Sequence, residues 1–252
     1  MRSANGFDKI SRMLSEIRIG LIGDYNEQQK AHVAIPKSLA AASEGHAKCE
    51  WVPTDSVGNG EALSEFHGLW CVPSMPYRSA EGVLRAIRYA RTTGTPFLGT
   101  SAGFQYTILE FARNVLGLAE AEHQKINPKA AMPLISPLGC ALVGVKARVR
   151  FMNGSVLRKA YGVPESMERY YCSFGLNSRY RRLVEGSQLC VSAVDDQNDV
   201  RAVELDGHPF FVATLFQPEL WASEEGGPAN PLVKAFNQAC IRARDRLVTA
   251  AG

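Results

Sequence analysis

Pro96-Phe97-Leu98-Gly99-Thr100-Ser101-Ala102-Gly103-Phe104-Gln105 decides how the rest of the chain is read. A short apolar strand ends at Gly99. Ser101 follows between small residues, so that residues 99–103 fit G-x-S-x-G. Helical apolar spacing then begins, through Phe104, Ile108, Leu109, Phe111, Ala112, Val115 and Leu116. The pattern predicts a sharp strand-to-helix turn that lifts one side chain above the end of a sheet. The glycines suit a turn that neighbouring backbone passes closely. The helix N-terminus behind Ser101 offers free N–H groups to a developing negative charge. An ordinary βα turn containing a serine would read the same way, so the flanking chain has to decide.

Working outward, Ile17 to Gly23 reads as a first strand and turn. Gln28 to Ala42 has helical spacing, with Pro36 expected to bend or restart it. Cys49 to Val52 and Gly68 to Pro73 read as strands, with a short helical stretch, Glu61 to Phe66, between them. Ser74-Met75-Pro76-Tyr77 lies at the carboxyl end of the Gly68–Pro73 strand. Ser79 is placed to cap a helix running to about Arg91. This strand–helix alternation predicts right-handed βαβ units and a parallel sheet. Ligands then bind beyond the carboxyl ends of the strands, so Ser101 and the Ser74–Tyr77 loop are expected to face one crevice. The second half is richer in strand signal: Ala141 to Phe151, Val191 to Val194, Val200 to Leu205 and Pro209 to Leu215, with a hairpin turn at Asp206-Gly207. Pro231 to Leu247 reads as a closing amphipathic helix. Residues 1–15 are mixed, with a short helix expected around Ile10, Met13 and Leu14. No repeat or linker interrupts the chain, and one domain with an N-terminal extension of residues 1–15 is the expectation.

Composition narrows the class. The chain has 252 residues, 46% hydrophobic and 21% charged, which suffices for a real core. The net charge of +3 is too small to argue for nucleic acid. Lys146, Arg148 and Arg150, and Arg179, Arg181 and Arg182, read as solvated faces. None of the six cysteines forms C-x-x-C or a metal-ligand spacing with histidine, so neither a metal nor a cofactor is expected. No secretory or membrane-length apolar run is present, which predicts a cytoplasmic protein without a membrane partner.

Several separated stretches resemble one family. They are Ile19 to Tyr25, Gly68 to Pro73, Arg88 to Arg91, Pro96 to Gln105, Glu110 to Leu118, Glu168-Arg169 with Asn177, and Phe216-Gln217-Pro218-Glu219. Together they are similar to the glutamine amidotransferase domain of CTP synthase, a class I amidotransferase. The resemblance covers most of residues 16–245, and the run Glu110 to Leu118 looks specific to the CTP synthase branch. It implies a flavodoxin-like α/β three-layer sandwich with a mostly parallel central sheet.

The resemblance also implies site roles. In the family a cysteine attacks the glutamine side-chain amide, a histidine is its base, and a glutamate orients the histidine. The matching positions here hold Ser101, Gln217 and Glu219. Serine needs a base at neutral pH, whereas cysteine supplies some thiolate by itself. Glutamine has no titratable group. Losing the nucleophile or base of such a triad costs on the order of a millionfold in turnover. The pocket differs as well. Ser74-Met75 replaces the family's Gly-Gly oxyanion stretch, and Ala102 replaces a leucine. Lys125 aligns with the glutamate that holds glutamine's ammonium, and Ser173 with the arginine that holds its carboxylate. Gln105 remains. A lysine facing an ammonium is repulsive, so glutamine is not the expected ligand and one lacking an ammonium or carrying an anion suits Lys125 better. No G-x-x-x-x-G-K-[ST] occurs, so this chain is not expected to make CTP alone.

Three functions follow as expectations. The first is a stand-alone homologue that no longer hydrolyses glutamine and binds or processes another small molecule. The second is a serine hydrolase, since the Ser101 turn also looks like that of peptidase E and cyanophycinase. His123, expected near the pocket mouth, or His208, expected in an exposed turn, would be its base. The third is a non-catalytic binding or regulatory protein. The chain also looks similar to stand-alone CTP-synthase-tail proteins that include selenoproteins. Cys172 is the expected reactive position on that comparison, with Arg169 and Lys125 supplying positive charge. A homodimer is expected from the way amidotransferase domains sit against partners.

Overall fold

The computed structural model describes residues 16–223 and 228–250. The helix expected around Ile10, Met13 and Leu14 lies outside the described residues. Apolar runs too short for helices build the middle of the sheet. Strand β1 (Ile17–Ile22) pairs in parallel with β2 (Ala47–Val52) on one side and β3 (Gly68–Cys71) on the other. Strand β4 (Phe97–Thr100) continues from β3. The last strand in sequence, β10 (Phe211–Thr214), pairs in parallel with β4. Both β4 and β10 are buried along their whole length, as a parallel sheet covered on both faces requires. Phe97 and Phe211 stack across the pair at 4.5 Å.

Beyond β10 the direction changes. Strands β9 (Val200–Leu205), β8 (Leu189–Val194) and β6 (Met132–Phe151) follow as antiparallel neighbours, and β5 (Ala121–His123) lies parallel to the start of β6. Strand β7 (Glu165–Leu176) returns along β6 as a long antiparallel ribbon. The ten described strands form one sheet.

Helices cover both faces. Helix α1 (Lys30–Ser43) packs with the C-terminal α6 (Pro231–Ala250), while α2 (Ala80–Thr93) packs with α3 (Ala102–Asn114). Ser79 caps α2 as expected, accepting the Gly82 N–H at 3.0 Å. Short helices α4 (Val156–Tyr161) and α5 (Arg181–Glu185) connect the later strands. Glu110 explains one matched stretch. It is fully buried on α3 and takes a two-pronged ion pair from Arg91 of α2, at 2.9 and 2.8 Å. Arg113, on the same stretch, binds the Ala121 carbonyl and Glu122 at 2.8 Å each and so fixes β5.

Several boundaries differ from the sequence reading. Helix α1 runs unbroken through Pro36. The stretch expected from Glu61 is a 3-10 turn, Glu61–Glu65. Strand β6 starts at Met132 rather than Ala141, and β5 and β7 were not anticipated.

Candidate functional site

The turn after β4 is sharp. Ser101 has φ 55° and ψ −106°, a left-handed conformation that costs a side chain on the order of 1–3 kcal/mol. Its N–H is held by the Thr214 carbonyl at 2.8 Å. The flanking glycines are required by contact. A Cβ on Gly103 would lie 2.3 Å from the Cys71 carbonyl oxygen, and one on Gly99 would lie 3.1 Å from the Gly103 backbone.

Ser101 opens into a cavity of about 750 Å³ at the carboxyl ends of β1, β3 and β4. That is the crevice where a sheet of this order places a ligand. Ser74, Met75, Ala102, Gln105, Lys125, Cys172, Ser173 and Gln217 reach its wall together with Ser101. Residues from 26 to 220 therefore meet at one place. Sequence reasoning did not pick out Lys30, Tyr171 or Phe174, which also line it. Lys30 was findable: it begins the helix after β1, next to the point where the strand order reverses.

The closest partner of Ser101 comes from β7. Ser101 Oγ and Cys172 Sγ are 2.9 Å apart. The thiol donates to the Leu215 carbonyl at 3.4 Å, so the hydroxyl donates to the sulfur. Serine and cysteine, read from the sequence as separate candidates, form one pair. The surroundings of Cys172 work against the expected activation. Burial raises its pKa to about 11 and outweighs the Ser101 hydrogen bond and the more distant Arg201 charge. At pH 7.5 iodoacetamide is expected to modify exposed Cys140 and to spare Cys172 until the protein is unfolded, read by peptide mass spectrometry. Rapid modification of Cys172 in the folded state would contradict this electrostatics.

The base position holds no base. Gln217 is buried, and its N–H is fixed to the Arg169 carbonyl at 2.8 Å. Glu219 lies fully buried behind it. Trp70 donates to Thr100 Oγ1 at 3.0 Å, and that hydroxyl donates to Glu219 Oε1 at 3.4 Å. Glu219 Oε2 has no hydrogen-bond partner among the described residues. Burial raises this carboxyl to about 8, so it carries a proton at neutral pH.

Both histidines already have partners on each ring nitrogen. His123 lines the cavity, as expected, but as a buried side chain in its wall. Its Nδ1 accepts the Lys125 N–H at 3.1 Å, which places the ring proton on Nε2. Nε2 then donates to Gln105 Oε1 at 3.0 Å, and Gln105 Nε2 donates to the Phe174 carbonyl at 2.8 Å. Burial, with the Lys125 charge, lowers His123 to about 4, so the ring is neutral. His208 is half-buried rather than exposed. It sits at the opposite end of β10, with Nε2 on the Ala90 carbonyl at 3.0 Å. Among the described residues no group of three or more His, Cys, Asp or Glu is placed to hold a metal ion. No described helix is long and apolar enough to cross a membrane.

A doubly covered sheet with a strained serine turn over a cleft defines an α/β protein of the nucleophile-elbow type. The family model of class I glutamine amidotransferases matches residues 37–231. The CTP synthase of Saccharolobus solfataricus is 32% identical over 233 residues, covering 85% of this chain and 43% of that protein. The CTP synthase of Saccharopolyspora erythraea is 34% identical over 265 residues, covering 95% of this chain and 46% of that protein. The chain belongs to the class I glutamine amidotransferase family, and spans less than half the length of these CTP synthase relatives. Among solved structures, the Trypanosoma brucei CTPS glutaminase domain with bound acivicin matches with a TM-score of 0.80 at 21% identity, over 90% of this chain and 94% of that one. That likeness carries the fold.

Proposed function

We propose that this protein is a diverged amidotransferase-like protein that does not hydrolyse glutamine and binds or processes another small molecule in the same cavity. The observation that carries the reading is the pairing at Ser101. Its hydroxyl rests on an un-ionised thiol, and no group able to take its proton is hydrogen-bonded to it among the described residues. A serine without a base is a weak nucleophile. Gln217 cannot supply the missing function, and Glu219 is left with an unpaired oxygen where an orienting carboxylate would need a donor. Lys125 at the cavity wall opposes glutamine's ammonium.

The strained backbone at Ser101 favours a second reading, covalent chemistry at Ser101 or Cys172. A serine hydrolase of the peptidase E kind would need a histidine on Ser101, and both ring nitrogens of His123 and of His208 already have partners. A binding or regulatory role requires no base at all.

The test combines ammonia release from glutamine with peptide mass spectrometry after one serine-directed and one thiol-directed electrophile. The expected result is no ammonia above the blank and no selective labelling of Ser101 or Cys172. Turnover of about 1 per second or more, the range of ordinary enzymes, would overturn the reading. Labelling confined to Ser101 would move the assignment to the hydrolase.

A further inference from the structure

The cavity carries one sign of charge. Lys30 and Lys125 line it, and no aspartate or glutamate does. Neither lysine has an ion-pair partner among the described residues. The nearby rim acids, Asp24 and Glu27, line an adjoining, more open cleft that shares Asn26, Gln29, Ser74 and Met75 with the cavity. Asp24 is already engaged there by the Thr54 hydroxyl and the Arg78 N–H, at 2.9 and 2.8 Å. The Lys125 charge is felt inside the wall, because it acts on the buried ring of His123.

The buried polar group facing the cavity has a fixed direction. Gln105 is only 4% exposed, and its amide oxygen is taken by His123 Nε2–H. The amide nitrogen spends one hydrogen on the Phe174 carbonyl. Its second N–H has no protein acceptor among the described residues. The His123 tautomer thus turns the Gln105 amide so that it offers a donor and withholds its acceptor. Buried donors of this kind favour a ligand oxygen over a ligand N–H.

We propose that the cavity's ligand is a small organic acid with two anionic groups and no ammonium, held by Lys30, Lys125 and the N–H of Gln105. This rests on the reading above that the site is not a glutamine site, and names the chemistry that replaces glutamine. Two carboxylates, or a carboxylate and a phosphate, satisfy the same donors. Charge-assisted bonds to both lysines are the source of affinity, so binding weakens with salt.

Isothermal titration of the purified protein with glutarate and with phosphoglycolate, against glutamine and neutral glutaramide, tests it. The expected result is binding of at least one dianion about tenfold or more tighter than glutamine or glutaramide. Lys125→Met is expected to weaken it about tenfold, as is Lys30→Met, while circular dichroism stays unchanged. His123→Phe should narrow the preference for dianion over neutral amide, because the Gln105 amide is then free to turn. Glutarate tighter than phosphoglycolate would identify a dicarboxylate, and the reverse order a phosphorylated acid. Dianions binding no better than glutaramide, or unaffected by both lysine substitutions, would overturn the proposal. Ammonia release from glutamine is measured separately. Its absence together with failed dianion binding sinks this inference alone, whereas its presence sinks the reading beneath it.

Discussion

Glu219→Gln protein is expected to be more stable than the parent above pH 8, and no more stable than it near pH 4.5. The sign follows from linkage. The folded-state pKa of Glu219 is raised from 4.5 to about 8 by burial. Between those values the folded state keeps a proton that the unfolded chain has released. Parent stability therefore falls as pH rises through this window and levels off above it. At about 1.36 kcal/mol per pK unit, the full difference is roughly 5 kcal/mol. That is comparable to the whole stability of many domains. A neutral amide has the shape of the protonated acid and no charge to lose, so the variant escapes this fall. Glu168, also buried and raised to about 7, contributes a slope in both proteins, and because its charge adds to the rise at Glu219 the two carboxyls titrate as a coupled pair in the parent. Urea unfolding at pH 5, 6.5, 8 and 9 measures the difference. A difference independent of pH would show that Glu219 is ionised in the folded protein.

Gly103→Ala is expected to destabilise by about 3 kcal/mol or more, or to prevent folding. Alanine is the better helix former by about 1 kcal/mol, which alone would stabilise α3. Sterics decide the other way. The new Cβ would lie 2.3 Å from the Cys71 carbonyl oxygen and 3.1 Å from its carbon, and both belong to backbone in a central strand. Neither can move without parting α3 from β3, and overpacking of this kind outweighs the propensity gain. Gly139→Ala is the matched control, because nothing lies within 4 Å of its Cβ position. It is expected to change stability by less than about 0.5 kcal/mol. Thermal unfolding of the two variants separates the cases. Equal melting temperatures would mean that the turn is looser than its contacts imply.

The parallel half of the sheet was legible because its strands are short apolar runs that alternate with helical spacing. Ser79 and the Gly99–Gly103 turn announced themselves by residue type. Strand β7 was not legible. Its buried face presents Glu168, Tyr170 and Cys172, so a carboxylate interrupts the apolar alternation. Its partner β6 slips register near Pro137 and Gly144, which blurs the period of two. The residues of the candidate site were named from the resemblance, and all but Glu219, which is buried behind Gln217, line one cavity. Their contacts were not legible. Ser101 and Cys172 are 71 residues apart, and His123 reaches Gln105 across 18, with no local pattern that encodes either pair.

The bond from Ser101 N–H to the Thr214 carbonyl has a consequence for the order of assembly. Strand β4 leaves the ribosome long before β10, its parallel neighbour, exists. Thr100 and Glu219, which meet behind the turn, are 119 residues apart. Until synthesis has passed Thr214, the Ser101 N–H has no strand carbonyl to hold it, and only the side-chain contact with Cys172 is available from the chain made so far. Non-local pairings of this kind form late. The turn is thus completed by a strand made more than a hundred residues after it, and a ribosome-bound fragment ending before β10 would carry the serine without the backbone bond that fixes its turn.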